Sequence, residues 1–482
     1  MPRLPDTVKW RDFSGGNVQA VSSDITNPSS VPFSINLPSS VPFSINLLFS
    51  EILGEAVSRP GTGLVGAPGS GDCIGLFQHL DTTGANSVLM AGFGTSIYNA
   101  VSSASLTASL TSGAKQRFAT FLNATLMLNG VEARAYTSAA GFVSSGGVLN
   151  VDGVPAGGQF PIEFKDRLYC AVADRIYYTN TPTSGSVSWS ATGSGSIQVE
   201  QEDGGGTIKS LSKVPGYLMI LKERSLKRWN FSSTFPEDLV NIGTQSHESV
   251  LRARGRIFFF YGPNGFYESA GDYPKLISRP IQRIVDGIAS SSYSDVNGWS
   301  DNDNLYWSVG TVTVDFDRGY SETYTNAVVR YSIDTQQWAV LRYAHLFKQM
   351  HQYVSSGLAL IVGGDDTGQV LQLNTGTSDY SGNAISYILQ SPEFDFKARG
   401  RLKTVSEKIF VHSDLTSGAI LQARLDYGEW KHIGFLRDIV TEAQIKPLTA
   451  HVFEFRIVDS ITGAAVKLRG MDFPNVDVLI SS

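Results

Sequence analysis

From about residue 66 the apolar positions fall into short runs that come in pairs, each pair split by a turn. The pairs are 88–90 with 97–98, 126–128 with 133–136, 168–170 with 176–178, and 217–221 with 226–229. Three more follow, 257–261 with 266–267, 305–307 with 327–331, and 358–362 with 370–373. Runs this short, separated by Gly92 and Gly94, by Asn129-Gly130 or by Gly262 to Gly265, read as antiparallel strands rather than helices. Asn-Gly is a strong hairpin signal because both residues accept φ > 0. The first runs begin at 88, 126, 168, 218, 257, 305 and 358, a spacing of 38 to 53 residues. Blades of four strands repeat at roughly 40–50 residues. Parallel β-α-β units would need helical crossovers, and the stretches between pairs are rich in Ser, Gly and Thr instead.

The pattern predicts an all-β protein. Residues 66–390 form a β-propeller of about seven blades, a reading preferred over irregular β-sandwiches because a closed ring leaves few open strand edges. Residues 391–482 form a separate module: 402–412, 419–427, 452–458 and 465–468 alternate or run apolar, with turns at 416–418 and 461–463, as in a small β-sandwich. Residues 1–65 lack a long strand pattern and read as an extended N-terminal arm. Within them PSSVPFSINL occurs twice without a break, at 28–37 and 38–47. Two ten-residue copies cannot build a stacked core, so one copy is expected to loop out; both copies packed in a core would contradict this.

Composition narrows the function. Charged residues are 17% against a usual share of roughly 25%. The net charge of −6 excludes the basic footprint of a tight nucleic-acid binder, yet a neutral or acidic wall lets nucleic acid slide past. Two cysteines, Cys73 and Cys170, do not make a disulfide scaffold and are expected to be free and buried. The first ten residues hold no apolar core of a signal peptide, and no apolar run reaches the ~18 residues of a membrane span, so synthesis in a cytoplasm is expected, without a membrane anchor.

Candidate chemistry is sparse. Residues 61–66, GTGLVG, fit G-x-G-x-x-G, but Arg59-Pro60 precedes them and APGSG follows, which cannot open a phosphate-binding helix; a flexible connector is expected. The seven histidines are scattered, His345 and His351 are six apart, and His247-Glu248 lacks a second His. There is no C-x-x-C, G-x-S-x-G or P-loop. Asp301 to Asn304 reads as a solvated turn rather than a calcium loop. No catalytic residue, metal or cofactor is expected. Residues 331–338, YSIDTQQW, look like the strand-turn-strand step of kelch-type blades, with Trp338 buried between blades. They approach the Asp-box of sialidase propellers but lack its Gly and carry the Trp one position early. The aromatic residues in or beside the strands are assigned to inter-blade packing, with a carbohydrate platform as the alternative.

Three stretches carry a resemblance. Residues 10–16, WRDFSGG, resemble the W-x-D-F-S-G-G opening of tail proteins of short-tailed bacteriophages. Residues 50–62, SEILGEAVSRPGT, resemble the G-x-v-x-R-P-G-T stretch that follows it, and 218–229, with KERS, look like a blade segment of the same proteins. These are the tail nozzle, or packaged-DNA stabilisation, proteins. The resemblance implies a structural virion protein of the tail, without enzymatic activity, forming a hexameric ring at its distal end. Its partners would be further copies of itself, a tail adaptor above, tail fibre or tailspike proteins, and transiting double-stranded DNA without sequence-specific binding. The channel would retain packaged DNA until ejection. The duplicated decapeptide departs from the pattern by stretching the spacing between the first two motifs. Trp10, Phe13 and Arg59 are the candidate contacts anchoring the arm. The insertion at 310–325 is open between a loop reaching the channel and one reaching a fibre. The competing classes are a host-surface propeller that binds or cleaves glycans and a cellular kelch-like scaffold.

Overall fold

The computed structural model describes residues 8–11, 35–36, 43–49, 56–81, 87–183, 185–199, 204–233, 235–315, 321–391, 393–394, 400–413, 419–436, 440–459, 467–473 and 476–478. Regular structure among them is almost entirely β; the single α-helix among the described residues is the five-residue Gln282–Asp286.

Seven sheets have four antiparallel strands each. The first is Cys73–Leu80, Ser87–Phe93, Ser96–Asn99 and Ser105–Thr107. The second is Arg117–Phe121, Ala124–Leu128, Ala133–Thr137 and Gly141–Val143. The third is Gln159–Phe164, Arg167–Val172, Arg175–Tyr178 and Gly195–Gln198. The fourth is Ile208–Val214, Tyr217–Lys222, Leu226–Trp229 and Glu237–Val240. The fifth is Leu251–Ala253, Arg256–Tyr261, Gly265–Ser269 and Lys275–Leu276. The sixth is Asn297–Ser300, Asn304–Asp315, Ser321–Ser332 and Trp338–Arg342. In these six, neighbours in space are neighbours in the chain. The seventh, Phe347–Ser355, Leu358–Asp365 and Val370–Leu373, takes its fourth strand, Thr62–Gly66, from far upstream.

The seven pairs of apolar runs are the second and third strands of these sheets. The cause is packing on both faces. Leu126 and Leu128 pack toward the third sheet while Met127, between them, packs toward the first. Phe258 and Phe260 pack toward the sixth sheet, Ile257 and Phe259 toward the fourth. A strand buried on both faces is apolar at every position. Seven apolar layers result, one between each pair of successive sheets and one between the seventh and the first. First strands touch in the same succession, among them those of the first three pairs of sheets, of the sixth and seventh, and of the seventh and first. Trp338 is buried between the fifth and sixth sheets, its indole N–H donating to the Ile277 carbonyl at 3.2 Å.

The insertion after residue 310 continues the sixth sheet's central hairpin as far as the pair Asp315 and Ser321. There the Arg456 guanidinium donates to Glu322 at 2.9 Å, joining the hairpin to the C-terminal module. That module is two sheets on one core. A five-stranded sheet runs Phe43–Ile45, Tyr387–Gln390, Phe453–Asp459, Ala419–Leu425, Lys431–Leu436. An eight-stranded sheet is built on Lys403–Ser413, flanked by Lys467–Phe473 and Val440–Ala450. Leu47, Phe49 and Ala56 join Val405, Ile409, Phe455 and Phe473 in its core.

The described parts of residues 1–65 are therefore strands of sheets completed elsewhere. Val8–Arg11 pairs with Lys467–Phe473, Phe43–Ile45 with Tyr387–Gln390, and the hairpin Leu47–Phe49 and Ala56–Ser58 lies beside Lys467–Phe473. Of the second decapeptide copy, Ser44, Ile45, Asn46 and Leu47 are buried. Of the first, Ile35–Asn36 pairs in parallel with Val8 and Lys9, and the rest lies outside the described residues.

Candidate functional site

Two places gather chemistry: the joint where the N-terminal segment meets the sixth and seventh sheets, and a central cavity.

The joint is built on R-P-G-T, residues 59–62. Arg59 is 3% exposed and Asp379 5%. The guanidinium grips the carboxylate with both terminal nitrogens, Nη1 to Oδ1 at 2.9 Å and Nη2 to Oδ2 at 2.6 Å. Nη2 also donates to the Arg342 carbonyl at 2.6 Å, Nη1 to the Pro60 carbonyl at 2.8 Å, and Nε to Asn46 Oδ1 at 2.9 Å. The cation lies 4.0 Å from the centre of the Tyr343 ring. A planar guanidinium with five donors suits this; a lysine has no such fork. Gly61 passes so close to Ser378 that a Cβ would sit 1.9 Å from its carbonyl oxygen. Thr62 donates to Asp379 Oδ1 at 3.3 Å, accepts from the Tyr380 N–H at 2.9 Å, and begins the strand that completes the seventh sheet. Residues 61–66, which match G-x-G-x-x-G, thus lead into and form a strand, with no helix after them.

Asn46 is the counterpart. Its φ of 59° is left-handed, a conformation asparagine tolerates better than most residues. Its N–H donates to the Val340 carbonyl and its carbonyl accepts from Arg59 N–H, both at 2.8 Å. Its side chain donates to the Ser386 carbonyl at 2.6 Å and accepts from Arg342 N–H at 2.6 Å. One residue of the second decapeptide copy therefore ties the C-terminal module to the sixth sheet.

The cavity, of about 400 Å³, is lined by residues of all seven four-stranded sheets. Arg117 and Glu248 form an ion pair at 3.0 Å, Lys115 approaches the same carboxylate at 3.6 Å, and Ser246 donates to it at 3.2 Å. Burial works to raise the Glu248 carboxyl, but the charges of Arg117 and Lys115 outweigh it and hold it well below the usual range. Lys213 pairs with Glu163. Arg252 is open to the cavity, and burial beneath the outer surface lowers its basicity, with Glu163 opposing. His247 lies tilted 5.0 Å from Phe160 and shares a hydrogen bond of 2.9 Å with Ser210; burial lowers it to about 4. His351 lies 4.3 Å from Trp299 and 5.0 Å from Phe77, and burial lowers it to about 3. Both imidazoles are neutral at pH 7. Cys73 and Cys170 are free and buried, and burial pushes Cys73 up to about 12.

Of the residues singled out in the sequence, Arg59 lies in the joint. Trp10 stands in Val8–Arg11, opposite Met471, and Phe13 lies outside the described residues. Asp379 and Asn46, which complete the joint, carry no local sequence signal. The cavity residues run from Leu76 to His351 and converge only through the sheet succession. Among the described residues no group of three His, Cys, Asp or Glu is placed to hold a metal ion. No described helix is long and apolar enough to cross a membrane.

No family model matches the chain, and no curated protein matches it. Among solved structures, the extracellular domain of a one component system from B. thetaiotaomicron is similar at 11% identity and a TM-score of 0.45. The match covers 88% of this chain, which spans 59% of that one. U3-55K is similar at 7% identity and a TM-score of 0.40, over 65% of this chain and 99% of that one.

Proposed function

We propose that the chain is a structural subunit of a phage tail nozzle, a seven-bladed β-propeller closed by Thr62–Gly66 and carrying a β-sandwich. The observation that carries the reading is the fate of R-P-G-T. The residues that bear the resemblance are also the residues of the joint, where Arg59 is clamped, Gly61 passes Ser378 and Thr62 starts the closing strand. The cyclic succession of seven apolar layers supports the propeller.

In this reading the subunit does no bond-making chemistry. Copies assemble as a hexameric ring below a tail adaptor, beside fibres or tailspikes, and the DNA runs between subunits. A 400 Å³ cavity has the scale of a small-molecule site, so the duplex does not thread a single propeller. A net charge of −6 keeps the wall from trapping phosphate. Retention comes from blocking the channel, not from reading bases.

Native mass measurement on the concentrated chain tests this. A species near six times the chain mass is expected; a strict monomer at high concentration counts against it. The competing host-glycan reading gains if the same preparation binds a glycan array saturably or hydrolyses a glycan.

A further inference from the structure

We infer that the central cavity is a binding site for a small oxyanion, a carboxylate or phosphate group, with Arg252 as its cation. The inference stands on the cavity alone and holds whether or not the chain assembles as a nozzle.

Three cationic side chains, Arg117, Lys213 and Arg252, face two anionic ones, Glu163 and Glu248, in the lining. The cavity is thus positive inside a chain of net charge −6. Two of the cations are each paired with one of the carboxylates, so the excess positive charge falls on Arg252. The charges are not equally available. Glu248 is held by Arg117, and Glu163 by Lys213. Arg252 has no ion pair or hydrogen bond to any described residue. A guanidinium presents a planar fork that matches carboxylate and phosphate oxygens two at a time. Trp299 and His351, also in the lining, lie 4.3 Å apart between ring centres and give a small ligand an aromatic face to rest on. The volume of about 400 Å³ falls in the range of small-molecule sites.

The test is calorimetric titration of the full chain at low salt with inorganic phosphate, succinate and, as the neutral control, glucose. Saturable binding of at least one anion and none of glucose is expected, weakening as salt screens the site. The Arg252→Gln variant should bind about ten-fold more weakly or worse, and Arg252→Lys should recover part of the loss. Arg254→Gln, which removes an exposed guanidinium already paired with Asp303 and Asp334 outside the cavity lining, should bind as wild type. Preference for phosphate assigns a phosphorylated ligand, and preference for succinate a carboxylate. No saturable anion binding, equal binding of glucose, or an unchanged Arg252→Gln would each overturn the inference. Arg252 is exposed to the cavity, and unfolding curves of both arginine variants separate a lost site from a lost fold.

Discussion

Replacing Arg59 by methionine keeps an unbranched apolar stem and removes its charge and all five donors. Asp379 would then be a buried carboxylate left with Thr62 Oγ1 at 3.3 Å and the Ala344 N–H at 3.1 Å. Breaking a buried pair by removing one partner costs about 3–5 kcal/mol, because the remaining charge stays out of water. The carbonyls of Pro60 and Arg342 also lose donors, at about 1 kcal/mol or more each where no water replaces them. Arg59→Met is therefore expected to lose at least about 3 kcal/mol. The double variant Arg59→Met with Asp379→Leu should be more stable than the single, since nothing charged remains to be solvated. Urea unfolding followed by tryptophan fluorescence and far-UV circular dichroism reads both. A chain of this size need not unfold in one step, so limited proteolysis should show which part is released first; residues before Thr62 are expected. A single variant within 1 kcal/mol of wild type, or a double variant no better than the single, would refute the reasoning.

Three further outcomes follow from the same contacts. Gly61→Ala drives a Cβ against the Ser378 backbone, which cannot rotate away, and should cost on the order of 3 kcal/mol in the same unfolding assay. Acid should weaken the fold early. His351 titrates at about 3 in the folded state against 6.5 ordinarily, so its contribution is whole above pH 6.5 and is lost as pH falls toward 3. At pH 5 that loss is about 2 kcal/mol, and His351→Phe, set between Phe77 and Trp299, should flatten this part of the urea-midpoint profile between pH 7.5 and 5. Deleting ten residues, 28–37, leaves one decapeptide copy to supply the buried Ile45 and the Asn46 contacts, and should change the thermal midpoint little, because the only described pairing it removes is the two-residue one of Ile35–Asn36 with Val8 and Lys9.

What the sequence made legible follows burial. Second strands such as Arg256–Tyr261 and Tyr217–Lys222 are covered on both faces, so they appear as unbroken apolar runs, 257–260 and 218–221. Several fourth strands are short and half covered, and Gly195–Gln198 or Ser105–Thr107 carry no pattern that separates them from turns. The N-terminal segment reads as an arm in the sequence because two of its strands, Phe43–Ile45 and Thr62–Gly66, pair only with residues more than 300 positions away. Periodicity within a window cannot register a partner at that distance. Arg59 was visible through R-P-G-T, whereas Asp379 sits in a stretch of Ser, Thr, Asp and Gly with nothing to mark it. The cavity was illegible for the same reason: Arg117, Arg252 and His351 become neighbours only when the sheets are set in succession.

Electron cryomicroscopy of the concentrated chain tests the central claim most directly. The account predicts seven four-stranded blades about one axis in each subunit, the strand of residues 62–66 paired with Val370–Leu373, and six subunits around a second, wider opening. Sheets splayed in an open arc, that strand paired elsewhere, or isolated subunits at every concentration would contradict it.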